Sequence, residues 1–262
     1  MKTKLYIVTY NNNEILNNWA LKTLFESDFP IDNSNIYIIN NHTNIYIEPQ
    51  YKNKIKILNN DLRPDFSTGH LSRNWNQAII NGFKNLNEPD CDLVIACQND
   101  TKFCKNWYSK LIITMLRYGY KYMTCGIGDQ LQIFTADSIK NIGLYDERFC
   151  NIGYQEGDYF LRAILCYSDY SSINDYFHRR VLNPIDTQII EATKPGALRH
   201  EPTHIASALH GQFSCRFWQI KWGFKEIDWN METIFDAKPR VKNYILYPYF
   251  EKDILNLEEK YY

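Results

Sequence analysis

Several large protein classes are excluded by what this sequence lacks. No Cys-x-x-Cys pair occurs, and the seven cysteines (Cys91, Cys97, Cys104, Cys125, Cys150, Cys166 and Cys215) are odd in number, so a closed disulfide framework is not expected and a reducing compartment fits. The formal net charge of -1 supplies neither a basic excess for nucleic acid nor an acidic tail, so an anionic ligand has to be held by a local site. No Gly-x-x-x-x-Gly-Lys-[Ser/Thr] loop is present and Gly69 does not open a Gly-x-Gly-x-x-Gly fingerprint, which removes the usual support for P-loop and dinucleotide-binding readings. No apolar run is long enough to span a bilayer, and the first residues enter a strand pattern without the charged and apolar regions of a signal peptide. A cytoplasmic protein without a transmembrane segment is the expectation.

What is present suffices for a sizeable core: 262 residues, 45% of them hydrophobic, allow one α/β domain and an extension. The chain is organised around Asp92-Leu93-Val94-Ile95-Ala96-Cys97-Gln98-Asn99-Asp100-Thr101. A short continuous apolar run between polar residues is what a central parallel strand, covered on both faces by helices, requires. Asp100 then falls at the carboxyl edge of the sheet, where ligands bind in open α/β folds. A carboxylate there can hold a divalent metal that neutralises a phosphate. It can also cap the helix that starts near Trp107, and one aspartate after one strand does not decide between the two.

Three further β-rich runs, Lys4 to Tyr10, Asn35 to Ile39 and Lys54 to Leu58, each end in amide-rich loops: Asn11-Asn12-Asn13, Asn40-Asn41-His42-Thr43 and Asn59-Asn60-Asp61. Asparagine tolerates left-handed backbone and caps helices, but three such loops at one sheet edge favour a polar ligand. Glu14 to Phe25 has helix-like apolar spacing, and Ser67 to Phe83 reads as a Gly-started loop entering an amphipathic helix. Arg73 on that helix either bridges to phosphate or is an exposed helix residue. Trp107 to Tyr118 is expected as a helix, Gly126 to Phe134 as a turn and strand, Ala136 to Ile142 as a helix, and Tyr159 to Cys166 as a helix preceded by Glu156 and Asp158. Carboxylates at a helix start are stabilised by its dipole; the functional alternative is a general base that takes a proton from an attacking hydroxyl.

From Lys4 to about Tyr167 the order of these motifs resembles the inverting nucleotide-sugar glycosyltransferases of the GT-A fold, in the family-two-like group and with a rhamnosyltransferase-like motif order. The quoted residues are Thr9-Tyr10-Asn11 after the first strand, Asn40 to Thr43 after the second, Gly69 to Asn74 before a helix, and Gln98-Asn99-Asp100-Thr101 as a relaxed metal motif. The most specific are Gly143-Leu144-Tyr145-Asp146-Glu147 and Gln155-Glu156-Gly157-Asp158-Tyr159-Phe160-Leu161-Arg162-Ala163. Gln98 stands where the metal motif usually begins with a carboxylate, and Gln155 replaces the acid before the base.

The resemblance implies an α/β, GT-A (Rossmann-like) mixed, mostly parallel sheet flanked by helices, with a helical, aromatic C-terminal extension. It implies a catalytic domain over 1–211, in which residues 1–101 bind the donor and residues 102–211 carry the acceptor and catalytic functions. Residues 212–262 are then an extension that packs on the core or forms a homodimer contact. Glu156 takes the base position. Thr9, Tyr10, Asn11, Asn40, Arg73, Asn74, Gln98 and Asn99 are expected to bind the donor; Trp75, Gln155 and Asp158 the acceptor; Asp100 and His200 a Mn2+ or Mg2+ ion. A base must keep its pKa below the working pH, so Glu156 need not be deeply buried. The expected partners are a nucleotide-diphosphate sugar, UDP-linked by first expectation, and a glycan or glycoconjugate acceptor, with a hexosyl or deoxyhexosyl group transferred. A sugar-nucleotidyltransferase and an inactive nucleotide-sugar or glycan binding module are the alternatives. The first lacks its glycine-rich phosphate loop after Val8, and Glu156 argues against the second.

Overall fold

The computed structural model describes residues 1–10, 12–32, 34–41, 44–60, 70–126, 129–149, 154–167, 190–191 and 207–222. Four parallel strands form its centre: β1 (Thr3–Thr9), β2 (Ile36–Asn40), β3 (Lys56–Asn59) and β4 (Leu93–Gln98). A hairpin, β6 (Tyr122–Cys125) and β7 (Leu131–Phe134), follows β5 (Lys102–Phe103) in sequence and adds to the sheet with β7 antiparallel to β4. The strand order is β3-β2-β1-β4-β7-β6, and β5 pairs separately with β8 (Ile190–Glu191).

Alternation along the strands supplies two cores because successive side chains leave opposite faces of a sheet. Leu5, Ile7, Ile36, Ile38, Leu93, Ile95 and Cys97 face one core with Leu16, Leu21, Trp107 and Leu111. Tyr6, Val8, Tyr37, Ile39, Val94 and Ala96 face the other, with Trp75, Phe83, Ile139 and Tyr159. The first face is covered by α1 (Asn13–Ile15), the π turn Leu16–Leu21, α2 (Lys22–Phe25) and, after the short α3 (Pro49–Lys52), by α5 (Trp107–Tyr118). The second is covered by α4 (His70–Phe83), α6 (Ala136–Ile142) and α7 (Tyr154–Tyr167). α4 approaches β4 closely at Gly82, where a Cβ would collide with the Val94 side chain.

Three expectations change. The helix over Glu14 to Phe25 contains the π turn, so its periodicity slips by a fraction of a turn. The strand before Gly126 was not anticipated, and it makes the Gly126 region the tip of a hairpin. α7 begins at Tyr154, five residues before the expected start, which places Glu156 and Asp158 inside its first two turns. Residues two apart on a helix point to opposite sides, so the two carboxylates serve different structures.

The last described helix, α8 (Ser207–Trp222), runs across the expected 211/212 boundary and docks on α7. Trp218 and Lys221 are buried in that contact. The remainder of the expected extension, 223–262, lies outside the described residues. No helix among the described residues is long and apolar enough to cross a membrane.

Candidate active site at the carboxyl edge of the sheet

The parallel strands end level with one another. Thr9 is beside Asn40, Asn40 beside Asn59, and Val8 beside Gln98. Just past those ends the chain is held by backbone bonds from Asn41 N to Thr9 O (3.0 Å), Asn60 N to Asn40 O (2.8 Å) and Asn99 N to Val8 O (3.0 Å). Side-chain amides then link the ends. Asn99 Nδ2 donates to Thr9 Oγ1 at 3.0 Å, and Asn40 Nδ2 to Asn59 Oδ1 at 3.0 Å. Asn60 Nδ2 reaches Asn41 Oδ1 at 3.1 Å, Gln77 Oε1 at 2.9 Å and Asn74 Oδ1 at 3.4 Å. Amides carry both donors and acceptors without net charge, which suits recognition of a nucleobase or sugar edge.

The hairpin delivers the carboxylate that sequence reading missed. β7 runs antiparallel to β4, so its beginning lies at the carboxyl edge, with Leu131 beside Cys97 and Gln98 N donating to Gln130 O at 2.9 Å. Asp129 therefore stands next to Gln98, whose Nε2 donates to its Oδ1 at 2.9 Å. Trp75 Nε1 donates to its Oδ2 at 2.7 Å. From α7, Glu156 completes the group, coming close enough to Asp129 for each carboxyl to act on the other. Both carboxyl groups are buried. Burial and then the Asp129 charge push the Glu156 carboxyl well above the usual carboxylate range. Burial likewise raises Asp129, against the hydrogen bonds it accepts from Glu156 and Trp75. Glu156 was expected to need little burial, and this is a correction: it is 2% exposed, on the first turn of α7 against Asp129.

Two of the residues expected to bind the acceptor are held by partners inside the fold. Trp75 is fully buried and its ring N–H is committed to Asp129. Asp158 is fully buried in an ion network, accepting from Arg162 Nε at 3.0 Å and lying 2.7 Å from Lys221 Nζ. Gln155, the third, is fully buried with neither amide atom bonded to the described residues.

The donor residues divide. Thr9, Asn40, Asn74, Gln98 and Asn99 lie in the strand-end network, and Tyr10 follows β1. Arg73 is half exposed, with Nε 3.6 Å from Glu147 Oε2. Asn76 Nδ2, on the same helix, donates to Tyr145 O (2.9 Å) and Glu147 Oε1 (2.8 Å), fixing the turn that carries Glu147. Asn11 and His200 lie outside the described residues.

Asp100 sits on the turn after β4, partly exposed, and its carbonyl accepts from Gln130 Nε2 at 3.4 Å. The capping alternative is settled by a different residue. Asp28 accepts from Tyr108 N at 3.0 Å and Ser109 N at 2.9 Å at the start of α5. Burial would raise Asp28, but the bonds from Ser109 and Tyr108 outweigh it and hold the carboxyl below its ordinary value. Among the described residues no group of three or more His, Cys, Asp or Glu could hold a metal ion.

A cavity of about 500 Å3 lies at the opposite, amino edge, lined by Lys4, Tyr37, Lys56, Lys84 and Asp90 among others. Size does not make it the better site. Lys4 Nζ is spent on Gly82 O (2.8 Å) and Asp90 (3.3 Å), and Lys84 also pairs with Asp90 (3.3 Å).

No family model matches the chain, and no curated protein matches it in sequence. Solved structures do match in shape. Residues 1–349 of S. aureus TarS are 12% identical, with 90% of this chain and 69% of that chain covered at a TM-score of 0.53. The same TarS fragment in complex with UDP is 13% identical, with 90% and 70% covered at a TM-score of 0.50. A mannosyltransferase from Pyrobaculum calidifontis in complex with GDP-Man and Mn2+ is 8% identical, with 87% and 76% covered at a TM-score of 0.41, too loose a likeness to build on. The neighbours are glycosyltransferases of the GT-A type, and at such identities the likeness is one of architecture: this chain has the GT-A fold, a mixed, mostly parallel sheet flanked by helices.

Proposed function

We propose that this chain is an inverting glycosyltransferase that moves a hexosyl or deoxyhexosyl group from a nucleotide-diphosphate sugar to a hydroxyl of a glycan or glycoconjugate. The observation that carries the reading is the carboxyl group of Glu156, held with Asp129 beside strand ends lined by Thr9, Asn40, Asn41 and Asn99. An acceptor hydroxyl attacks the anomeric carbon as its proton passes to Glu156, and the bond to the diphosphate breaks on the opposite face. The amides and Thr9 bind the base and sugar, with uridine as the first expectation. Residues 1–101 form the donor half and 102–211 the acceptor half. The cytoplasm is the proposed place of work, in keeping with the free thiols of the six described cysteines.

Asp100 offers one hard oxygen donor, which fits Mn2+ or Mg2+ shared with the donor's phosphates and water rather than held in a protein cage. When bound, such an ion supplies positive charge to the leaving diphosphate. His200 is proposed as a second ligand.

A panel of UDP-, GDP- and dTDP-sugars, each with and without Mn2+, tests the reading on the wild type and on Asp100→Ala. One donor is expected to bind and to be slowly hydrolysed in a metal-dependent way, and Asp100→Ala is expected to lose that dependence. Failure of every donor to bind would leave a shared fold without the shared chemistry.

A further inference from the structure

Trp75 Nε1 and the Gln98 amide both donate to Asp129, one to each oxygen. An indole N–H has no acceptor function, so the Asp129 oxygens are receiving bonds, as an ionised carboxylate does. A carboxylate and a carboxyl group can share a hydrogen bond only if one carries a proton. Asp129 already accepts from both sides, and burial and then the Asp129 charge raise Glu156 well above its ordinary value, so the proton that the pair holds is assigned to Glu156. Glu156 Oε1 meanwhile is buried and receives no hydrogen bond from the described residues. The Glu156 carboxyl thus lies against both the side chain and the backbone N–H of Asp129, with Oε1 buried and unpartnered among the described residues.

Resting on the transferase reading, we infer that Glu156 and Asp129 act as one base, Glu156 relaying the proton and Asp129 retaining it. The acceptor O–H proton moves to Glu156 Oε1 as its oxygen bonds to the anomeric carbon. The proton already on the other Glu156 oxygen moves to Asp129. The anomeric C–O bond to the diphosphate breaks and its electron pair leaves with the nucleotide. Glu156 ends neutral as it began, Asp129 ends neutral, and the proton count balances. Asp129 is a positioning residue in this scheme, because it touches Glu156 and not the reacting hydroxyl. The pair explains how a buried glutamic acid serves as a base without first ionising: a like-charged dianion at one buried site is disfavoured, while the monoanion is already competent.

Among the described residues, the other titratable groups against the pair are phenols. Tyr122 from β6 senses both Asp129 and Glu156, Tyr145 senses Asp129, and Tyr159 from α7 packs on both tyrosines. Burial, the largest cause in each, holds Tyr122 and Tyr145 far above neutral pH, so these two phenols stay protonated there. The acid limb of activity therefore reports the pair.

The test is the pH profile of hydrolysis of UDP-N-acetylglucosamine, UDP-glucose and GDP-mannose with Mn2+, on wild type and Asp129→Asn, with an isotope-edited infrared spectrum of labelled glutamate. For the pair, Asp129→Asn lowers kcat by roughly 100-fold or more. It leaves donor KM within about twofold and moves the acid limb to higher pH, because Glu156 must then ionise alone. If Glu156 works by itself, loss of the neighbouring charge makes it ionise more easily. The limb would then move to lower pH with kcat retained, which overturns the relay. The infrared arm stands apart from turnover. A protonated glutamic acid band at neutral pH, present in wild type and absent in Glu156→Gln, supports the pair; its absence from wild type overturns it. Absence of hydrolysis of all three donors by wild type counts against the transferase reading, and the infrared result then decides the pair alone.

Discussion

Glu156→Gln is expected to abolish transfer and to raise the stability of the fold at neutral pH. The loss of activity should be about 10²- to 10⁴-fold, the usual contribution of a positioned base, with donor affinity retained. The gain in stability follows from the sign of the shift. Burial, then the Asp129 charge, raises the folded-state pKa of Glu156 above its unfolded value. The folded chain thus holds a proton that the unfolded chain has released, and stability is lost as pH rises toward the folded pKa. Glutamine keeps a donor for Asp129 without that linkage. Thermal unfolding of the two proteins should give equal midpoints near about pH 4, where an unfolded glutamate is also largely protonated, and a higher midpoint for the variant at pH 7 to 8. A variant less stable than wild type at neutral pH would contradict the placement of the proton.

Arg162→Met should cost about 3–5 kcal/mol of folding stability, the usual penalty for breaking a buried ion pair from one side. Arg162 is fully buried. It donates to Asp158 Oδ2 (3.0 Å), Ile142 O (2.8 Å) and Leu144 O (2.9 Å), and its guanidinium lies over the Tyr159 ring. One side chain therefore ties α7 to the end of α6 and the turn beyond it. Methionine fills the stem volume but leaves both carbonyls without their donors. Lysine restores the charge and one contact, so Arg162→Lys should recover some of the loss, since a point charge cannot reproduce the planar fork. Urea unfolding measures this as a lower midpoint at an unchanged slope. Asp158 keeps Lys221 at 2.7 Å in either variant, so the docking of α8 should be weakened rather than lost.

The parallel centre was legible because its signals are local. β1 and β4 are continuous apolar runs that end in polar turns, and the helices Trp107–Tyr118 and Ala136–Ile142 coincide with their expected limits. At α5 the helix closes where expected because Gly119 takes a left-handed conformation, φ +66°. The amide-rich strand ends were visible for the same reason. The hairpin was not, since Tyr122 to Cys125 becomes a strand only by pairing with β7, and β7 gains its direction from β4. Asp129 depends on that pairing, and nothing in Gly126-Ile127-Gly128-Asp129 alone distinguishes it from a turn aspartate. The expected turn and strand over Gly126 to Phe134 already put Asp129 just ahead of Leu131 and Ile133, but without β4 as its neighbour nothing singled the aspartate out. The surroundings of Trp75 and Asp158 were not legible because sequence shows residue type and not burial. Both turned inward, toward Asp129 and Arg162 respectively.

The nucleotide is expected to sit at the carboxyl edge of the sheet. Backbone amide NMR during titration with UDP and Mn2+ tests it most directly. The perturbed amides are expected to gather at Thr9, Tyr10, Asn40, Asn41, Asn99 and Asp100. Perturbations gathered instead around Lys4, Tyr37, Lys56 and Lys84, at the amino-edge cavity, would contradict it.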